Sequence, residues 1–124
     1  MRSSLIIIIL FFMATPTKAQ SGSFPGQFVH SVYFWLNNPE SEKDKDLFLK
    51  NLNEFLENSK YHTSYHVAPP AGTPRDLVDN SYDYNLVVTF DTKELQDKYQ
   101  TEEAHVAFIE SSNQLWDRVQ IYDS

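Results

Sequence analysis

The sequence has no cysteine, only three glycines, and fewer basic than acidic residues. Without cysteine there is neither a disulfide framework nor thiol catalysis, so stability has to come from the core or from association. Seventeen acidic and ten basic residues give a formal net charge of −7. Because an acidic surface repels phosphate backbones, the composition argues against nucleic acid as a partner.

The chain also lacks an apolar run that is long enough to cross a bilayer. The run from Leu5 to Met13 has nine residues, about half of the ~20 that a spanning helix needs. Arg2 precedes this run and small residues follow it, which predicts a secretory signal peptide over residues 1–19, cleaved near Ala19. An uncleaved anchor is the alternative. We expect a secreted or periplasmic mature protein without stable membrane insertion.

The remaining residues predict a linker at 20–27, rich in Gly, Ser and Gln, followed by one α+β domain. Alternation and helical periodicity predict strands at 28–36, 61–67, 84–90 and 116–122, and helices at 40–58, about 92–99 and about 101–115. The order is β-α-β-β-α-β with a broken second helix, which is the ferredoxin-like arrangement. We expect Asn38 to cap the first helix and Pro39 to lie in its first turn.

The first predicted strand carries large apolar side chains on both faces. Val32 and Phe34 share one face with His30, whereas Tyr33 and Trp35 share the other. A strand that is apolar on both sides is usually covered on both sides. The helices can cover one face, and we expect nothing in the chain to cover Tyr33 and Trp35. A homodimer is therefore predicted.

Tyr99 and His105 lie six residues apart among apolar residues of the broken helical segment. On one continuous helix this spacing amounts to about 240° of rotation, so the side chains would diverge. A break near Thr101 lets two short helices aim both side chains into one pocket. There His105 can act as a general base while Tyr99 orients a substrate carbonyl. The alternative is a half-buried histidine that only packs its ring and satisfies one nitrogen on the backbone.

The other histidines do not form a pattern that is typical of a metal site. On a strand, His62 and His66 would be about 13 Å apart, too far to share one metal. His30 together with one of them still makes no convincing ligand cluster. The sequence has no calcium loop, no Gly-rich phosphate loop and no G-x-S-x-G motif. We predict no metal and no cofactor.

Three segments together resemble the stress-responsive A/B barrel family of dimeric α+β barrel proteins. They are FVHSVYFWL at 28–36, YNLVVTF at 84–90, and the stretch from Tyr99 through the terminal strand VQIYD. The resemblance implies that residues 28–124 form a ferredoxin-like domain, which pairs with a second copy into a dimeric α/β barrel.

A plant polyketide cyclase of this family uses a tyrosine and a histidine in a Tyr-x-x-His-Pro-x-His motif. The motif matches residues 99–105, with Tyr99 and His105 kept and with Glu102 and Glu103 in place of His-Pro. The resemblance implies catalytic roles for Tyr99 and His105. The two acids would place negative charge beside the pocket, which disfavours an anionic polyketide.

The shared faces and the resemblance together predict one pocket between the helices and the sheet. Its expected lining is His30, Phe34, Phe55, Tyr99, His105, Phe108 and Trp116. Two functions remain open: an exported protein that binds a small ligand without catalysis, and a cyclase-like general-base enzyme for a small carbonyl or polyketide-type substrate. A third is a monooxygenase of the related antibiotic-biosynthesis type, which shares the dimeric barrel.

Overall fold

The computed structural model describes residues 24–124, so the predicted signal peptide and residues 20–23 of the predicted linker lie outside the described residues. Within this range the chain forms four strands, three α-helices and one short 3₁₀ turn. Their bounds are β1 Phe28–Leu36, α1 Glu42–Asn58, β2 Ser64–Ala68, β3 Tyr84–Phe90, α2 Lys93–Thr101, α3 Glu103–Ser112, the 3₁₀ turn Asn113–Leu115, and β4 Trp116–Asp123. None of the helices described has the length and apolar character that crossing a bilayer requires.

The four strands form one antiparallel sheet in the order β2-β3-β1-β4. At the centre of the sheet, Val32 of β1 pairs with Leu86 of β3 on one side and with Ile121 of β4 on the other. This strand order and the helices that accompany it make an α+β, ferredoxin-like fold. The predicted fold class is confirmed.

The side chains of strand β1 show which face of the sheet is buried. Its residues alternate in burial: Val32, Phe34 and Leu36 are buried beneath the helices, while Tyr33 and Trp35 on the opposite face are partly exposed. This alternation follows from the period of two that a strand imposes on its side chains. The helix-facing side of the sheet is therefore the core side, called the inner face below, and the opposite side is called the outer face.

Helix α1 begins later than expected, and the predicted cap at Asn38 is wrong. The N-cap is Ser41, whose Oγ accepts a hydrogen bond from the N–H of Asp44 at 3.2 Å. Asn38 instead closes a turn, because its carbonyl accepts from the N–H of Ser41 at 3.0 Å. The Asn38 side-chain amide then donates to the Asp44 carboxylate at 2.8 Å. Both polar residues support the helix start, but only Ser41 occupies the capping position.

Strand β2 is shorter than predicted, which changes the position of the two central histidines. It begins at Ser64, so His62 precedes the strand and only His66 belongs to it. His66 pairs with Val87 on the outer face and is exposed. The premise that both histidines share one strand is therefore wrong.

A single extended residue, Glu102, separates α2 from α3. Thr92 caps α2 through a hydrogen bond that its Oγ1 accepts from the N–H of Leu95 at 3.3 Å. The Glu102 carboxylate accepts hydrogen bonds from the Ser59 hydroxyl and, at 3.2 Å, from the N–H of Lys60. The break is thus tied to the end of α1, which fixes the direction in which α3 leaves.

Residues 24–27 run alongside the end of β3. Gln27 donates its N–H to the Phe90 carbonyl at 2.8 Å. Gly26 has φ +85°, and a Cβ at that position would lie 2.8 Å from the same carbonyl oxygen. Both the left-handed backbone and the close approach require glycine here.

Candidate functional site

Tyr99 and His105 lie side by side despite their separation in the sequence. Their ring centroids are 5.3 Å apart, with the ring planes at 50°. Tyr99 belongs to the last turn of α2 and His105 to the first turn of α3, so the extended Glu102 between them redirects the chain. The structure therefore brings together the two side chains that an unbroken helix would have pointed apart.

Aromatic rings from α1 and the sheet surround this pair. Phe55 of α1 contacts both rings, with centroids 5.2 Å from Tyr99 and 5.3 Å from His105. His30 of β1 meets Tyr99 edge-on at 5.9 Å, and Phe90 of β3 does so at 4.9 Å. Tyr99 is 1% exposed, whereas His105 is only half-buried. The phenol belongs to the core and the imidazole lies at its margin.

Burial moves the acid–base properties of the two groups in useful directions. It raises the pKa of Tyr99 far above its ordinary value, and the Glu102 carboxylate adds to this effect. Burial lowers the pKa of His105, as does the charge of His30, while a backbone hydrogen bond with Gln100 and the charge of Glu102 act in the opposite direction. At neutral pH Tyr99 thus keeps its proton and His105 stays uncharged. A neutral imidazole can accept a proton, and a protonated phenol beside it can donate a hydrogen bond.

His30 lies against Tyr99 and is held by a carboxylate from the last strand. Its Nδ1 is 2.6 Å from Oδ1 of Asp123, and the histidine is 3% exposed. His30 was predicted to bind ligand; one of its ring nitrogens is already engaged within the chain.

The remaining predicted pocket residues extend the same set of ring contacts. Phe55 and Phe108 are stacked at 5.3 Å with planes at 12°. Phe108 lies 5.7 Å from Trp116, which in turn lies 5.3 Å from Phe34. All the predicted residues therefore form one continuous aromatic cluster. Much of the predicted pocket volume is filled by their own rings.

An open groove of about 700 Å³ lies between α1 and α3, at the edge of the aromatic cluster. Phe55 and Phe108 form part of its wall, but Tyr99 and His105 do not line it. The lining includes Glu102 and Glu103, the two acids expected beside the pocket, and the apolar Ala104 and Ala107. It also contains polar residues for which the sequence analysis gave no role: Asn51, Glu54, Asn58, Lys60, Tyr61 and Ser111. Helical spacing of three and four residues among Asn51, Glu54 and Asn58 was the available signal, since it places them on one face of α1.

The outer face is partly covered from within the chain, contrary to expectation. The Tyr33 ring contacts Tyr82 at 5.0 Å and Tyr122 at 6.2 Å. The Arg118 guanidinium lies 4.2 Å above the Trp35 ring, a favourable cation–π distance. The prediction that nothing in the chain covers Tyr33 and Trp35 is therefore wrong, because the loop before β3 and the side chains of β4 fold over them. A recess of about 340 Å³ remains among these residues.

The histidines outside the cluster have no common ligand set. In residues 24–124, no group of three or more His, Cys, Asp or Glu side chains is arranged to hold a metal ion. His62 has a buried Nδ1 for which no hydrogen-bond partner is found among the described residues. Burial also lowers the pKa of this imidazole.

The fold and the cluster define a single-domain, ferredoxin-like α+β protein with a Tyr–His pair between two helices and the sheet. The chain belongs to the stress responsive A/B barrel domain family, whose model matches residues 28–124. A search of curated proteins finds no sequence similar to this chain.

Solved structures of low sequence identity share the fold. A Dabb family protein from Mesorhizobium loti with a ferredoxin-like fold has a TM-score of 0.66 and 17% identity, covering 78% of this chain and 93% of its own. A dimeric ferredoxin-like protein of unknown function from Thermobifida fusca has a TM-score of 0.65 and 15% identity, covering 87% and 97%. The hydroxynitrile lyase of Passiflora edulis has a TM-score of 0.67 and 9% identity, covering 78% and 90%.

Proposed function

We propose that the mature chain is an exported homodimer that binds a small, uncharged ligand where the groove between α1 and α3 meets the Tyr99–His105 pair. The position of Phe55 carries this proposal. Phe55 lines the groove, and its ring also contacts Tyr99 and His105 at 5.2 and 5.3 Å. The Phe55 ring separates a ligand in the groove from the phenol and the imidazole, so a rotation of this side chain would bring the ligand into contact with both.

The lining of the groove favours a neutral aromatic compound. Three glutamates, Glu54, Glu102 and Glu103, line it together with a single Lys60. Their charge opposes an anionic ligand. The two phenylalanines of the wall offer flat apolar area, which is the usual source of affinity in a small-molecule site.

Export and dimerisation are supported by separate observations. Residues 1–19 have the three-part composition of a signal peptide, so intact-mass measurement on native material should find a start near Gln20. A retained Met1 would contradict export. The proposed dimer is supported by the partly exposed aromatic rings of the outer face. The similar protein from Thermobifida fusca is itself dimeric.

Acetophenone, a neutral aromatic ketone, is a suitable probe for binding, which saturation-transfer NMR can follow. His105→Ala should weaken binding by at least about tenfold, or about 1.4 kcal/mol, because it removes the ring against which the ligand would pack. Val106→Ala is the control, because Val106 is exposed next to His105 on α3 and does not line the groove. If His105 serves only in packing, its loss should instead lower the unfolding free energy by about 1–3 kcal/mol and leave binding intact.

The location of the site can be tested by filling the groove. Ala107 lines the groove on α3, so Ala107→Trp should block acetophenone binding. Ile109→Trp is the control, since Ile109 is exposed on the same helix and does not line the groove. Equal binding by both variants would place the ligand elsewhere.

A second candidate is a general-base reaction on a small carbonyl compound, favoured by the contact between Tyr99 and His105. Neutral His105 can accept a proton from the carbon next to the carbonyl. The C–H bond breaks, its electron pair forms the enolate, and the Tyr99 hydroxyl donates a hydrogen bond to the oxygen that gains charge. The directions of both pKa shifts suit these roles.

Hydrogen–deuterium exchange tests this step without knowledge of the natural substrate. In D₂O the protein should accelerate exchange of the acetophenone methyl protons. Tyr99→Phe and His105→Ala should each reduce the accelerated exchange rate at least about tenfold. Exchange at the rate seen in buffer alone would contradict the proposed general-base reaction and leave only the binding function. Because a hydroxynitrile lyase shares the fold, benzaldehyde release from mandelonitrile is a second assay.

A further inference from the structure

We infer that Asp123 is a positioning residue that fixes the tautomer of His30, so that the second ring nitrogen, Nε2, is offered to the ligand site beside Tyr99. This inference rests on the proposed function, since it adds a third polar group to the same site. It also gives a role to the last strand of the fold, which contributes no residue to the groove.

The contact itself dictates which nitrogen of His30 carries hydrogen. Nδ1 lies 2.6 Å from Oδ1 of Asp123, shorter than an ordinary N–H···O bond and typical of one to an ionised group. A carboxylate can only accept, so Nδ1 must donate. In the neutral ring Nε2 then carries no hydrogen, so it can only accept a hydrogen bond.

The backbone holds this carboxylate in place. His30 and Asp123 are direct partners across β1 and β4, so their side chains project from the same face of the sheet. Ser124 is tied to Val29 by two backbone hydrogen bonds, of 2.8 and 3.0 Å. Tyr122, on the other side of Asp123, pairs with Ser31 of β1, so the backbone is held on both sides of Asp123.

The surroundings distinguish this contact from an ordinary surface ion pair. The side chain of His30 is 4% exposed, whereas that of Asp123 is 45% exposed. The carboxylate thus reaches from the rim of the sheet into the core, where the imidazole lies 5.9 Å from Tyr99. Through His30, Asp123 therefore acts on the Tyr99 side of the proposed site.

Nitrogen-15 NMR on the full mature chain tests the inference, because two-bond nitrogen–proton couplings identify the histidine tautomer. Wild-type His30 should be the Nδ1–H form. Asp123→Ala removes the acceptor and should shift His30 towards the Nε2–H form. Phenol, whose hydroxyl can donate to Nε2, should then bind about tenfold more weakly to the variant than to wild type, as for the loss of one hydrogen bond. Asp117→Ala is the control, since Asp117 is an exposed acid on the same strand.

Asp123→Asn keeps the shape of the side chain, so it is the variant to measure if Asp123→Ala folds poorly. It should also reduce the Nδ1–H form, because an amide can donate as well as accept. An unchanged tautomer in both variants would overturn the inference, and so would a changed tautomer with unchanged phenol binding. A wild-type protein that binds no acetophenone would overturn the proposed function, whereas the tautomer measurement would still decide whether Asp123 fixes His30.

Discussion

The two faces of the sheet differ in how completely this chain closes them. On the inner face, Val32 and Phe34 are 5% and 4% exposed beneath α1, α2 and α3. On the outer face, Tyr33 and Trp35 of the same strand are only partly covered, by side chains of β4 and of the loop before β3. The inner face is complete within one chain, whereas the outer face still has apolar area to bury.

The two faces should therefore contribute to different free energies, the inner face to that of folding and the outer face to that of association. Burial of large apolar side chains on the inner face stabilises the monomer itself. Burial of the outer face can stabilise only an assembly, because no further part of residues 24–124 covers it. Substitutions on the two faces should therefore affect different measurements.

The largest expected effect comes from the inner face. Phe48 is 0% exposed and packs against Phe34 at 5.0 Å and Tyr84 at 5.4 Å. Phe48→Ala should lower the unfolding free energy by about 3–5 kcal/mol, because it leaves a cavity that the sheet and helix cannot close. Urea unfolding measures this. Leu47→Ala, at an exposed neighbour, should cost less than about 1 kcal/mol. Equal losses would contradict the packing of α1 on the sheet.

The next effect should appear on the outer face as a change in assembly. Tyr33→Asp should weaken the proposed homodimer by at least about 2 kcal/mol, the loss typical of a central aromatic residue in an interface. Sedimentation velocity at micromolar concentration should then show monomers. Val106→Asp introduces the same charge on the exposed side of α3 and should leave the dimer intact. A wild-type monomer under these conditions would remove the basis of the dimer proposal.

The two central strands of the sheet, β1 and β3, were predictable from the sequence because the pattern that indicates a strand is local. The bounds of β1 and β3 agree with the prediction to the residue, since alternation of apolar side chains and the flanking polar residues define both ends. The start of α1 was misplaced because Asn38 and Ser41 are both good capping residues. Which of the two residues caps the helix depends on the turn that the Ser41 N–H closes to the Asn38 carbonyl, and this turn is visible only in the folded backbone.

The candidate site was predictable only in part, for a similar reason. The helix break that pairs Tyr99 with His105 could be inferred from the residues around Thr101. The groove depends on how α1 and α3 pack, and the contact of His30 with Asp123 joins residues 93 positions apart. Arg118 over Trp35 is likewise a contact between strands. Such contacts follow from strand register, which a single sequence does not display.

A smaller effect concerns residues 24–27, which run alongside the end of β3. At Gly26 an added Cβ would lie 2.8 Å from the Phe90 carbonyl and 3.1 Å from Thr89, in a backbone with φ +85°. Gly72 has φ +73° with nothing within 4 Å of an added Cβ. Gly72→Ala should thus cost about 1 kcal/mol from the backbone alone, and Gly26→Ala about 2 kcal/mol. Thermal unfolding of the two variants isolates the contact with β3. Equal losses would show that residues 24–27 do not pack there.

The smallest effect should come from His105, at the margin of the inner face. Burial lowers its pKa from the ordinary 6.5. As pH falls through 6.5 the unfolded chain therefore binds a proton before the folded one does, and stability is lost until the lower folded-state pKa is passed. Solvent screening at this half-buried group keeps the loss small. Urea unfolding at pH 7.5 and pH 5 should show a smaller decrease for His105→Gln than for wild type. Val106→Gln should retain the wild-type decrease, because Val106 is an exposed, non-titrating neighbour of His105 on α3. The same decrease in all three proteins would mean that His105 titrates as a solvated residue and that the inner face is open to water at this point.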